Sequence, residues 1–283
     1  MNFIAVNDAM AQSAADPIAS PLRTRVLSAL VLVPVVLGAL YAGGLWFALL
    51  LALAAVLMAR EWDRLTGGAG SGLLGLASSL ALLVILALGY YGHGGWALLA
   101  LLPAVLVVAG LGRLAGRSMV WPVLGLFWLG LPCLALLWLR MGDNGMLAVT
   151  WLFLAVWFCD TGAYFAGRGI GGPKLAPRIS PKKTWSGLLG GMFLAAAASA
   201  LLAVVLAQKD AVQFAVLGAL LALISQCGDL AESALKRHFD VKDSGALIPG
   251  HGGILDRVDG VLFAAPALAL AAATPTLGLL PWQ

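Results

Sequence analysis

The chain has 283 residues, of which 61% are hydrophobic and 11% charged, with a mean hydropathy of +0.97. A soluble domain carries roughly 25% charged residues, so the composition excludes a soluble protein, and no polar segment is long enough to fold as a domain of its own. The formal net charge of +4 is informative by position rather than as a total, and no nucleic-acid partner is expected.

In chain order, residues 1–24 read as a cytoplasmic tail. Arg23 and Arg25 precede the apolar run from Val26 to Tyr41. No small-residue cleavage site follows, so this is read as an uncleaved first span rather than a signal peptide. A membrane-crossing helix needs about 20 apolar residues, with a lower limit near 17. On that basis spans are expected at about 25–42, 44–60, 73–91, 96–112, 119–139, 146–165, 187–207, 211–227 and 260–280. The second and fourth are short enough to be re-entrant. The expected fold is all-α: a polytopic membrane protein of about nine transmembrane helices with a polar site on the cytoplasmic side. Helices of 25–145 form an N-terminal region. Residues 146–283 form the catalytic region, with cytoplasmic loops at 160–186 and 228–259.

Lys and Arg set the orientation. With the N-terminus inside and nine spans, only Arg140 and Lys209 of the 17 basic residues fall outside. Arg60, Arg64, Arg113 and Arg117 read as anchors on anionic lipid. The ten tryptophans read mostly as interfacial anchors, and glycine within spans as a device for close helix packing. Cys133, Cys159 and Cys227 lie scattered in apolar runs, form neither a metal pattern nor a disulfide framework, and are expected to be buried. No internal repeat is present.

The chemistry concentrates between Gly228 and Asp259, which holds ten of the thirty charged residues. Charge beside a bilayer is costly and usually functional. If the eighth span stays helical past Asp229, then Asp229, Glu232 and Lys236 share one face, with Ser233 and Arg237 on the next stripe. Two such acids suit Mg2+, which takes one or two carboxylates and completes its shell with water and substrate phosphates; a solvated helix end is the plainer alternative. In Pro249-Gly250-His251-Gly252-Gly253, glycines let backbone N–H groups approach an anion, or simply make a turn. His251 suits phosphate contact, acid catalysis or a structural hydrogen bond. Asp256 and Asp259 share a helix face, and Arg257 between them neutralises them or grips a phosphate in two-pronged fashion. Asp229 and Asp256 flank one loop and could share one metal. The other inside loop runs from Asp160-Thr161-Gly162-Ala163-Tyr164 through Lys174 to Ser180-Pro181-Lys182-Lys183-Thr184. Its lysines, hydroxyls and glycines suit a triphosphate; lipid anchoring is the alternative for the lysines.

Over Ser233 to Asp259 the chain closely resembles the signature of phosphatidate cytidylyltransferases (CDP-diacylglycerol synthases). The matching positions are Ser233, Lys236, Arg237, Lys242, Asp243, Pro249, His251, Gly252, Gly253, Asp256, Arg257 and Asp259. The stretches at Asp160–Tyr164 and Ser180–Thr184 are similar to the family too. Ser186 departs from it, since relatives often carry Glu or Gln there. The resemblance is specific over about 155–265 and generic before that.

The resemblance implies that phosphatidate and CTP yield CDP-diacylglycerol and pyrophosphate with Mg2+, in a bacterial cytoplasmic membrane; a second cation such as K+ and a homodimer are compatible with it. Asp229 and Asp256 then become the principal metal ligands, supported by Asp243, Asp259 or Glu232. The catalytic set is Asp229, Asp256, Lys236, Arg237 and His251. Substrate contacts fall to Asp160, Lys174, Ser180, Lys182, Lys183, Thr184, Ser233, Lys242, Gly252, Gly253 and Arg257. One rival is a CTP-dependent polyprenol kinase, which would release CDP. Another is a multi-span transporter, which would place acids mid-span rather than at span ends on one side.

Overall fold

The computed structural model describes residues 21–70, 72–208, 210–247, 252–274 and 280. Most of the expected tail, Lys209 and Pro249-Gly250-His251 lie outside the described residues. The helices are α1 (Pro21–Ala42), α2 (Gly44–Leu65), α3 (Leu73–Tyr90), α4 (Gly94–Leu99), α5 (Leu101–Leu114), α6 (Val120–Met141), α7 (Gly145–Gly169), α8 (Trp185–Val205), α9 (Ala211–His238) and α10 (Leu255–Ala273). Among the described residues, seven helical stretches are long and apolar enough to cross a membrane, with α4 and α5 counted as one. With α1 and α10 they fall on all nine expected segments. The second expected span is a 22-residue helix, too long to need a re-entrant path. The fourth breaks at Ala100, a turn before the interior of α5; Pro103 lacks the N–H that would bond the carbonyl of Leu99.

Helix ends follow glycine. Gly43 separates α1 from α2 at φ +62°, a backbone region that glycine enters freely. The Arg140 guanidinium at the end of α6 donates there to the carbonyls of Leu40 (2.8 Å) and Tyr41 (3.3 Å). Helix α6 touches α2, α3, α5, α7 and α10 and runs through the core. Helices α7, α8 and α9 pack as a second group. Here glycine allows the contact: a Cβ on Gly162 would stand 2.6 Å from the Gly190 carbonyl oxygen, and one on Gly191 would stand 2.7 Å from that of Cys159. Small residues bring backbones together where lipid supplies no hydrophobic drive.

Several details depart from the sequence reading. The 160–186 segment is not a plain loop. Helix α7 continues past Asp160 to Gly169, and an antiparallel hairpin follows, β1 (Lys174–Ala176) and β2 (Ser180–Thr184). Among the described residues the regular structure is therefore all-α except for this hairpin. Its strands are too short, and too rich in Lys and Pro, to show an alternating pattern. Cys227 is exposed, whereas Cys133 and Cys159 are buried. Trp62 and Trp151 are core residues rather than interfacial anchors; their indole N–H groups donate to the Trp121 carbonyl and to Ser199 Oγ, both at 2.8 Å.

Arg117 is not a lipid anchor. Its Nη1 lies 2.6 Å from Asp63 Oδ1 and its Nη2 donates to the Thr66 carbonyl at 3.0 Å. The other Asp63 oxygen accepts from Gly70 N at 2.8 Å. This clasp shapes the turn between α2 and α3. Breaking a buried pair leaves an uncompensated charge; since Arg117 is itself partly exposed, Arg117→Ala is expected to cost about 2 kcal/mol. Thermal unfolding in detergent should show the lower apparent Tm.

Candidate active site

Helices α9 and α10 meet at the charged end because Gly228 has no side chain. A Cβ there would stand 2.5 Å from the Asp259 carbonyl oxygen. One turn deeper, Gly260 lies against Ser225 of α9 and Val156 of α7. The three helices thus place carboxylates from α7 (Asp160), α9 (Asp229, Glu232) and α10 (Asp256, Asp259) at one end of the bundle. Asp160, Asp229 and Asp259 interact electrostatically with one another, and Glu232 interacts with Asp259 and Asp256. Arg257, exposed, interacts with Asp160.

Two lysines supply countercharge. Lys183 Nζ sits 2.5 Å from Asp229 Oδ2 and donates to Gln226 Oε1 at 2.9 Å. Lys236 Nζ sits 2.7 Å from Asp256 Oδ1 and 3.6 Å from Glu232 Oε1. Ser233 Oγ donates to Asp229 Oδ1 at 3.3 Å. Lys183 is positioned by the hairpin. Strand β2 ends at Thr184, whose Oγ1 caps α8 by accepting from Gly187 N at 3.1 Å, as an N-cap threonine does. Ser186, the departure from the family motif, makes a polar contact: its hydroxyl donates to the Gly171 carbonyl.

A cavity of about 470 Å³ opens between α7, the hairpin, α8 and α9, lined among others by Asp160, Tyr164, Arg168, Lys182, Lys183, Thr184 and Asp229. That size falls within the range of small-molecule sites. A larger cavity of about 960 Å³ lies at the opposite end, between the α3–α4 and α6–α7 connections and the end of α10. No expected site residue lines it.

The remaining expected site residues sort as follows. Asp256 is enclosed: Oδ2 accepts from Ser244 N (3.0 Å), Ser244 Oγ (2.9 Å) and Gly253 N (3.0 Å), while Oδ1 accepts from Lys236. The Gly253 N–H, read from sequence as an anion cradle, thus faces an internal carboxylate. Gly252, at φ +88°, has no Cβ to press on Asp256 Oδ2. From α10, Asp259 is the acid that interacts with Asp229, while Asp256 is paired with Lys236. Lys242 and Asp243 are exposed on the loop after α9, and Lys174 is exposed on β1 opposite Thr184. Arg237 is exposed and donates to the Ile179 carbonyl at 3.4 Å, tying α9 to the hairpin. Ser180 is half-buried at the start of β2. Gln226 was missed. Its amide joins the site by donating to Asp160 Oδ1 at 3.3 Å while accepting from Lys183. The available signal was a single amide inside an apolar run, one turn before Asp229.

Whether this donor set fits a metal turns on its chemistry. Among the described residues no three His, Cys, Asp or Glu groups stand close enough to coordinate one ion. The carboxylates of α7, α9 and α10 are nonetheless hard oxygen donors gathered at one end of the bundle, the donor type Mg2+ prefers. Glu232 is 2% exposed, and neither of its oxygens accepts a hydrogen bond among the described residues. The cation beside it is the Lys236 ammonium, 3.6 Å from Oε1. By donor type alone, these carboxylate oxygens suit a hard divalent ion.

Membrane-spanning helices that end in a cavity of acids, lysines and hydroxyls define a membrane-embedded enzyme acting on phosphate groups. The chain matches the model of the cytidylyltransferase family over residues 23–274 and belongs to that family. It is 43% identical over 262 residues to the phosphatidate cytidylyltransferase of Brucella suis biovar 1 (strain 1330), covering 89% of this chain and 93% of that one. It is 39% identical over 268 residues to the phosphatidate cytidylyltransferase of Pseudomonas aeruginosa, covering 88% and 96%. With that of Bacillus subtilis (strain 168) it shares 43% identity over 130 residues, 46% of this chain and 48% of the other. The family match takes in the N-terminal helices, which read as generic spans in the sequence.

Proposed function

We propose that this chain transfers the cytidylyl group of CTP to phosphatidate, forming CDP-diacylglycerol and pyrophosphate. The observation that carries the reading is the Lys183 ammonium held between Asp229 and Gln226 on the wall of a nucleotide-sized cavity. An oxygen of the lipid phosphate bonds to the α-phosphorus of CTP, the α–β bridging P–O bond breaks, and pyrophosphate leaves. A phosphate monoester has its second pKa near 6, so the nucleophile is already largely dianionic at pH 7 and needs no strong base. The protein's task is to neutralise and align two polyanions. Lys183, Lys236 and Arg257 supply positive charge in the site, and Lys182 stands at the cavity rim.

Mg2+, held by Asp229 and Asp259 with Asp160 and Glu232 beside them, would neutralise charge on the phosphates, while Asp256, its oxygens occupied by Lys236, Ser244 and Gly253, would hold the loop before α10 in place; K+ is a candidate second cation. The charged end faces the cytoplasm, where CTP resides, and the N-terminus lies on the same side of a bacterial cytoplasmic membrane. The acyl chains of phosphatidate reach the site sideways from the bilayer.

Labelled CTP tests the reaction. With purified protein and phosphatidate in mixed micelles, α-phosphate label is expected in the lipid product and γ-phosphate label in released pyrophosphate. Label from the γ-phosphate on the lipid, with CDP released, would make this a lipid kinase instead.

A further inference from the structure

We propose that Glu61, on α2 in the N-terminal half, is a positioning residue for this reaction: its carboxylate clamps the N-terminus of α10 and so sets where Asp256 and Asp259 stand. Glu61 is 3% exposed. Its Oε1 accepts from Ile254 N at 2.9 Å and its Oε2 from Leu255 N at 3.0 Å. The first N–H groups of a helix have no partner within it, and Ile254 at the N-cap has no side-chain acceptor to offer. A carboxylate 193 residues away in sequence takes that place. It also meets the positive end of the helix dipole, where negative charge is favoured.

The chain around the clamp is shaped to admit it. A Cβ on Gly253 would stand 2.7 Å from Glu61 Oε2, and one on Gly245 would stand 2.9 Å from Oε1. Two carboxylates grip one segment: Glu61 takes the N–H groups of Ile254 and Leu255, while Asp256 takes those of Ser244 and Gly253. The residues after Glu61 are pinned, Trp62 to the Trp121 carbonyl and Asp63 to Arg117 and Gly70. Catalytic geometry depends on such supporting contacts. The effect on turnover rests on cytidylyl transfer as the function; the clamp itself does not.

The test compares wild type, Glu61→Gln and Glu61→Asp, purified in detergent, by hydrogen exchange and steady-state kinetics. Glutamine keeps the shape but turns an NH2 towards one of the two N–H donors. Exchange in the peptide covering Ile254 and Leu255 is expected to speed up about tenfold in Glu61→Gln, the equivalent of losing one charge-assisted hydrogen bond. At the same time kcat per folded molecule should fall about tenfold, the Mg2+ needed for half-maximal rate should rise, and KM for phosphatidate should stay within about twofold, since α10's acids and not the lipid contacts are displaced. Glu61→Asp, which keeps the charge, should recover part of the rate. Unchanged exchange in Glu61→Gln would overturn the clamp. Faster exchange with wild-type kcat and Mg2+ dependence would overturn its role in positioning. A wild type without cytidylyl transfer would count against the function, while the exchange comparison would still decide the clamp.

Discussion

Replacing Asp256 by asparagine is expected to lower turnover by about two orders of magnitude, equivalent to roughly 2.7 kcal/mol in the barrier. The carboxylate accepts from Lys236 on one oxygen and from Ser244 N, Ser244 Oγ and Gly253 N on the other. Asparagine has one acceptor oxygen. Its NH2 must face either the Lys236 ammonium or the three loop donors, and hydrogen bonds to charged groups are worth about 1.5–3 kcal/mol each. Lys236 is then left with Glu232, 3.6 Å away. Initial rates per folded molecule, measured across a Mg2+ titration, check this. Turnover near wild type with unchanged Mg2+ dependence would remove Asp256 from the active site.

Gly228→Ala is expected to be nearly as damaging although it alters no charge. The added Cβ would stand 2.5 Å from the Asp259 carbonyl oxygen and 3.1 Å from Phe263 Cβ. Backbone cannot rotate away as a flexible side chain does, so α9 and α10 must separate. Overpacking of this kind costs about 1–3 kcal/mol. It moves Asp229 away from Asp259, and misplacement by about 1 Å can cost on the order of a hundredfold in rate. Gly110→Ala is the control, since a Cβ there meets nothing within 4 Å and alanine favours the helix. Equal turnover in the two variants would show that the α9–α10 contact does not support the site.

The nine segments were legible because crossing a bilayer demands apolar runs of a set length, and little else in this chain has that length. The shared face of Asp229, Glu232 and Lys236 was legible too, since α9 stays helical through all three. The partner of each acid was not. Asp256 and Asp259 lie on one face of α10, and which of them meets Asp229 depends on how α10 is turned against α9, a matter settled by packing at Gly228 and Gly260. Gln226 was hidden in an apolar run. Glu61 sits in Arg60-Glu61-Trp62-Asp63-Arg64, which looks like a solvated span end; its partners are 193 and 194 residues distant, and no local pattern encodes such a contact.

The most direct test of the site is Mn2+ binding, followed by electron paramagnetic resonance on the purified protein with CTP present, in wild type and in Asp229→Asn. If the acids of α7, α9 and α10 hold one ion beside the nucleotide, the wild type should bind Mn2+ in a CTP-dependent way and Asp229→Asn should bind it at least about tenfold more weakly, a difference of 1.4 kcal/mol. Undiminished, CTP-dependent Mn2+ binding in Asp229→Asn would contradict a shared ion site at this end of the bundle.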